Sequence, residues 1–165
     1  MLSRITNKTE GFTIIEILVY VAVLAGIFLL VVNTLLSFTK NYREVRALRL
    51  ADQTSITALE RMTREIREAS SANTDQSSVL TLTKTVGSTS TTTKFYIDGG
   101  VMKLDVNGEY AGPLSIAGSS VVSLDFTKLS NSTSSLIKID ITVQGTSGPV
   151  ARTKTYHSSV IMRGL

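Results

Sequence analysis

The 165-residue chain has no cysteine, one histidine and only two prolines. Without cysteine there is no disulfide framework and no thiolate zinc site. Export from the cell stays open, because disulfides are only one sign of it. A single histidine excludes paired-histidine zinc patterns such as H-E-x-x-H. That residue, His157, lies between Tyr156 and the pair Ser158-Ser159. The chain has no nucleophile elbow and no oxyanion loop, so His157 reads as a structural strand residue rather than a triad base. No catalytic constellation emerges. The chain is expected not to be an enzyme and to need no cofactor and no metal.

Charge is also missing from one long stretch. No side chain in residues 17–39 is charged. At about 1.5 Å per helical residue the stretch reaches roughly 34 Å, enough for a hydrocarbon core of about 30 Å. Glu16 sits at its near end. A carboxylate at mid-bilayer costs about 2.5–3.5 kcal/mol on insertion scales, and less near the interface. Such a residue usually has a partner. No basic residue follows it within a helical turn. A cut after Gly11 would give Phe12 a new α-ammonium, four residues before Glu16 and on the same helix face. That ammonium opposes the helix dipole, and a carboxylate in the first turn offsets it. The charge pattern therefore makes most sense after proteolysis. Arg4 and Lys8, ahead of the apolar run, keep the leader on the cytoplasmic side and place the remainder outside.

Lys8-Thr9-Glu10, then Gly11-Phe12-Thr13-Ile14-Ile15-Glu16-Ile17-Leu18-Val19, resembles the class III signal of type IV prepilins and type II secretion pseudopilins. The match lies at Gly11, Phe12 and Glu16 and covers about the first quarter of the chain. The resemblance implies cleavage between Gly11 and Phe12 by a membrane-embedded prepilin peptidase, and N-methylation of Phe12. It implies that Glu16, fifth after the cut, supports docking and registration of each subunit on its neighbour. Its presence argues against the tip-most K-type pseudopilin. The implied fold is α+β and pilin-like, a long N-terminal helix packed on a C-terminal antiparallel sheet. The implied parts are a leader (residues 1–11), a membrane and filament-core half of the helix (12–40) and an extracytoplasmic domain (41–165). The implied partners are other pilin or pseudopilin subunits, the peptidase, an inner-membrane assembly platform and the lipid bilayer. The C-terminal disulfide loop of many major pilins is excluded here.

Two other readings compete. A secretory signal peptide would be cut after its apolar region, following small residues, and no A-x-A site follows this run. An uncut anchor carrying an extracellular binding or adhesion domain would keep its leader.

The rest of the chain is expected to complete such a fold. Residues 12–69 read as one helix of roughly 87 Å if unbroken. Gly26 and the pair Asn33-Thr34 are its weak points, and no proline interrupts it. Many major pilins have a proline near this point; Asn33 stands here instead. Val45, Leu48, Leu59, Met62, Ile66 and Ala69 recur at helical spacing, as a stripe that would cover a sheet. Glu60/Arg64, Arg61/Glu65 and Arg64/Glu68 are spaced for i,i+4 pairs. DNA binding by this segment has no support, since acids interleave with the arginines. Residues 70–78 break the helix.

The period then changes to two. Strands are expected at 79–83, 95–97, 101–104, 121–126, 136–143 and 154–162. Asp98-Gly99-Gly100 and Asn107-Gly108 signal hairpins. Residues 87–92 read as a Ser/Thr-rich loop, and 131–135 and 145–149 as turns. The helix end at 58–69 and Phe95-Tyr96-Ile97-Asp98-Gly99-Gly100 are similar to J-type pseudopilins and related minor pilins. Asp98, Asp105, Asn107 and Glu109 gather acid around turns; calcium would want several oxygens in a loop, and some pseudopilins do bind it. EF-hand spacing fails because Gly108 follows Asn107 directly, and turn chemistry accounts for these residues without a metal.

Overall fold

The computed structural model describes residues 11, 13–131 and 134–163. The chain divides into two units, Met1–Lys40 and Asn41–Leu165. Among the described residues the architecture is α+β: one helix, α1 (Ile14–Glu68), and eight strands. No break occurs at Gly26 or at Asn33-Thr34. Thr34 Oγ1 donates to the Leu30 carbonyl at 2.8 Å, so its hydroxyl bonds its own helix rather than unwinding it.

In the first unit residues 17–39 of α1 carry no charge and are exposed apart from half-buried Val32. A helix of that kind needs an apolar surrounding. It is long and apolar enough to cross a membrane.

In the second unit α1 packs on antiparallel strands. β1 (Ser71–Asn73), β2 (Leu80–Val86), β3 (Thr89–Asp98), β4 (Val101–Val106) and β5 (Glu109–Pro113) form one sheet in sequence order. β6 (Ser119–Ser130), β7 (Ser135–Ser147) and β8 (Val150–Ile161) form another. The expected single sheet is thus two. The sheets meet where Val121 N donates to the Gly100 carbonyl at 2.8 Å and Phe126 N to the Ser77 carbonyl at 2.7 Å.

Two hairpin signals form as expected. Gly99-Gly100 and Asn107-Gly108 each close a two-residue loop with both φ values positive, the twist that suits adjoining strands. The expected loop at 87–92 is instead mostly strand. Only a tight turn with Gly87 at φ 62° remains, and Thr89 to Thr93 pair with β2. Branched threonines suit a pleated surface, which outweighs their polarity. Residues 70–78 likewise hold a short strand, β1, paired through Ala72↔Leu82.

The core is one cluster shared by helix and sheets. Leu80, Phe95 and Leu104 sit in one cross-strand row, and Ile137, Ile139, Ile141 and Val143 line the inner face of β7. The helix contributes Ala47, Ala51, Thr54, Ser55, Ala58, Met62 and Ile66. This corrects the expected stripe at its start: Val45 is 50% and Leu48 36% exposed. The cause is close approach. A Cβ on Gly145 of β7 would lie 1.9 Å from the Ala47 carbonyl oxygen, so only small residues fit where α1 crosses β7. Buried Thr54 and Ser55 are satisfied, by Ser119 Oγ at 2.6 Å and by the Ala51 carbonyl at 2.8 Å. Of the spaced charge pairs, Arg61–Glu65 forms at 2.8 Å, while Glu68 turns to Lys84 on β2.

Polar contacts clasp α1 to β8. Asp52 accepts from Lys154 Nζ at 2.9 Å and from the Tyr156 phenol, and Glu44 pairs with Arg152. The Tyr156 and Lys154 donors hold the Asp52 carboxyl below its ordinary 3.8. Asp52 therefore contributes stability above that value, lost as pH falls through its lower folded pKa. The Asp52 hydrogen bond raises Lys154 above 10.5, and burial first, then Asp52, raises Tyr156 above 10.0. Their contributions are present below those values and lost as pH rises through the raised ones. The clasp should hold between about pH 4 and pH 10. Protection of the β8 amides, taken relative to their intrinsic exchange rates, should fall on both sides of that window, modestly, because the pairs are partly exposed. Asp52→Asn should abolish the acid-side change; an unaltered acid limb in that variant would refute the assignment.

Candidate functional site

The residues singled out by sequence cluster at the start of α1. The leader through residue 10 and Phe12 lie outside the described residues. Gly11 is exposed and not helical. Among the described residues, a side chain there would meet nothing within 4 Å. Thr13 caps the helix: its carbonyl accepts from Glu16 N at 3.1 Å and Ile17 N at 3.2 Å, and its Oγ1 accepts from Glu16 N at 3.4 Å. Thr13-Ile14-Ile15-Glu16 has the spacing of a capping box, so Glu16 also lies where a carboxylate favours the positive end of the helix dipole.

Glu16 is half-buried, while its apolar neighbours are exposed. One contact comes from its own helix. The Tyr20 phenol, one turn on, donates to Glu16 Oε1 at 3.1 Å. Sequence reasoning missed both Thr13 and Tyr20. The signals were present, as T-x-x-E before an apolar run and a lone tyrosine at i+4. Further along, Thr39 Oγ1 donates to the Leu35 carbonyl at 3.0 Å, so this hydroxyl too is satisfied without water.

Comparison with family models, with curated proteins and with solved structures returns no match. The functional reading therefore rests on this chain's own residues and on the resemblance at its N-terminus.

The other candidate residues lie in the second unit, taken up by local contacts. Asp98 pairs with Lys103 Nζ at 2.5 Å, and Asp105 accepts from the Tyr96 phenol at 3.1 Å. Asn107 Oδ1 accepts from Thr92 N at 2.9 Å, bracing the hairpin, and Glu109 is exposed on the edge strand β5. Among the described residues no group of three or more His, Asp or Glu side chains is placed to hold a metal ion. His157 sits opposite Asp140 of β7, with Nδ1 2.5 Å from Oδ1, and Lys138 reaches the other oxygen at 2.8 Å. The hydrogen bond from His157, then that from Lys138, lowers the Asp140 pKa.

Proposed function

We propose that this chain is a non-enzymatic filament subunit, a minor pilin or pseudopilin of a type IV pilus or type II secretion filament. One observation carries the reading. Gly11-Phe12 stands just ahead of a capped helix whose first turn holds Glu16 and whose next turns are uncharged and apolar on all sides. A peptidase needs accessible, non-helical chain at the scissile bond, and Gly11 offers it.

In this reading the protein is held in the bacterial cytoplasmic membrane as a single-pass precursor, with residues 41–165 outside. After cleavage and N-methylation at Phe12, the assembly platform extracts it. The apolar half of α1 then exchanges lipid for the apolar helices of neighbouring subunits. Many small contacts supply cohesion, and Glu16 with a Phe12 ammonium supplies register.

The test is the N-terminus. Mass spectrometry of the protein from its own cells should find N-methyl-Phe12 as the first residue. Gly11→Leu should leave the leader attached, with cleavage falling at least tenfold. Because no described residue comes within 4 Å of a side chain at position 11, that loss reads out the peptidase rather than misfolding. An intact leader on the wild-type chain in cells with active peptidase would overturn the proposal and favour the uncut, anchored binding domain.

A further inference from the structure

We propose that Tyr20 is a positioning residue for Glu16, holding its carboxylate in the orientation that meets an incoming ammonium; this rests on the filament reading above. With the helix in lipid, Glu16 would stand at the border of an uncharged helical face, where its oxygens would have little water to bond. The Tyr20 phenol lies one turn on, on the same side of the helix, and donates to Oε1 at 3.1 Å. A tyrosine has few rotatable bonds, so this contact restrains a glutamate at small entropic cost. An ionised carboxylate accepts about four hydrogen bonds, so a phenol on one oxygen leaves capacity for a second donor.

The arrangement does two things. It keeps the carboxylate satisfied while the subunit waits in lipid, and it limits the directions from which an ammonium can reach the carboxylate. The ordering entropy is then already spent when a neighbour docks, which favours assembly. An aliphatic residue at position 20 would serve the membrane equally well by hydropathy. The hydroxyl is the feature that hydropathy does not explain.

Tyr20→Phe keeps the ring and removes the donor. In the full-length chain in its own cells it should be cleaved at Gly11–Phe12 as the wild type is. Its recovery in sheared filaments, relative to the membrane fraction, should fall about three- to tenfold. In a Glu16→Ala background, Tyr20→Phe should add nothing, because the group it positions is gone. Wild-type recovery of Tyr20→Phe would overturn the inference. So would an equal further loss in the Glu16→Ala background, since Tyr20 would then act through other contacts, or a drop in cleavage, since the defect would then precede assembly. The leader band separates this from failure of the filament reading: an uncleaved wild type sinks both, whereas a cleaved wild type with unaffected Tyr20→Phe sinks only the role of Tyr20.

Discussion

Glu16→Ala is expected to yield a protein that is cleaved and held in the membrane yet nearly absent from filaments. The carboxylate lies beyond the scissile bond, so processing should be normal. Assembly is different, because docking would bring Glu16 against the Phe12 ammonium of its own or a neighbouring chain among apolar helices. Removing one partner of a poorly solvated pair costs about 3–5 kcal/mol, since the other charge is left uncompensated. At 1.4 kcal/mol per tenfold, that is a loss of incorporation on the order of a hundredfold or more. Glu16→Gln should fall between, because the amide can still accept from Tyr20 but lacks the charge. Immunoblots of membrane and sheared fractions score processing and incorporation separately. Normal incorporation of Glu16→Ala would remove the pairing mechanism and leave the cleavage reading standing.

The second large effect lies in the other unit. Gly145→Ala should destabilise it by about 3 kcal/mol, the upper part of the range for overpacking. The added methyl would meet the Ala47 carbonyl oxygen at 1.9 Å, its carbon at 2.9 Å and Ala51 N at 3.1 Å. All three atoms are backbone, so no rotamer change relieves the clash; α1 must lift from β7. Lifting it loosens Ala47 and Ala51, both fully buried, and the Thr54–Ser119 hydrogen bond. Ala47→Gly should not rescue the variant, because the clash is not with the Ala47 side chain. Exposed Thr146→Ala, next in the strand, should change stability by no more than about 0.5 kcal/mol. Denaturant unfolding of the detergent-solubilised chain measures all three. A mild Gly145→Ala, or rescue by Ala47→Gly, would contradict this account of the crossing.

The role of Gly145 is not visible in its sequence neighbours. In a Gly-Thr-Ser-Gly-Pro string it looks like the beginning of a turn, and Gly148 does make one at φ 59°. Gly145 instead pairs with Ser119 and Arg152 inside the sheet. Its need for glycine comes from a helix residue about a hundred positions earlier. The same blindness affects the stripe on α1. Val45 and Leu48 have the right spacing and the right hydropathy, yet the face that packs holds alanines. Hydropathy counts how apolar a face is; it does not count how near the opposing backbone will come.

At the N-terminus the opposite holds. The start of the helix, its unbroken course past Gly26 and Asn33, and its capacity to span lipid follow from residues a few positions apart. Caps, i,i+4 pairs, uncharged runs and Asn-Gly turns act within one or two turns of chain, so the amino-acid order determined them by itself. The hydroxyl of Tyr20 belongs to this class as well, being an i+4 neighbour of Glu16. Tertiary structure alone decided the rest. It split the strands into two sheets, joined Asp52 to Tyr156 and His157 to Asp140, and chose small residues for the crossing of α1 over β7. Each of these depends on distant segments meeting at one distance and one register. A period-two pattern is compatible with several such meetings, and only the packing of one shared core selects among them.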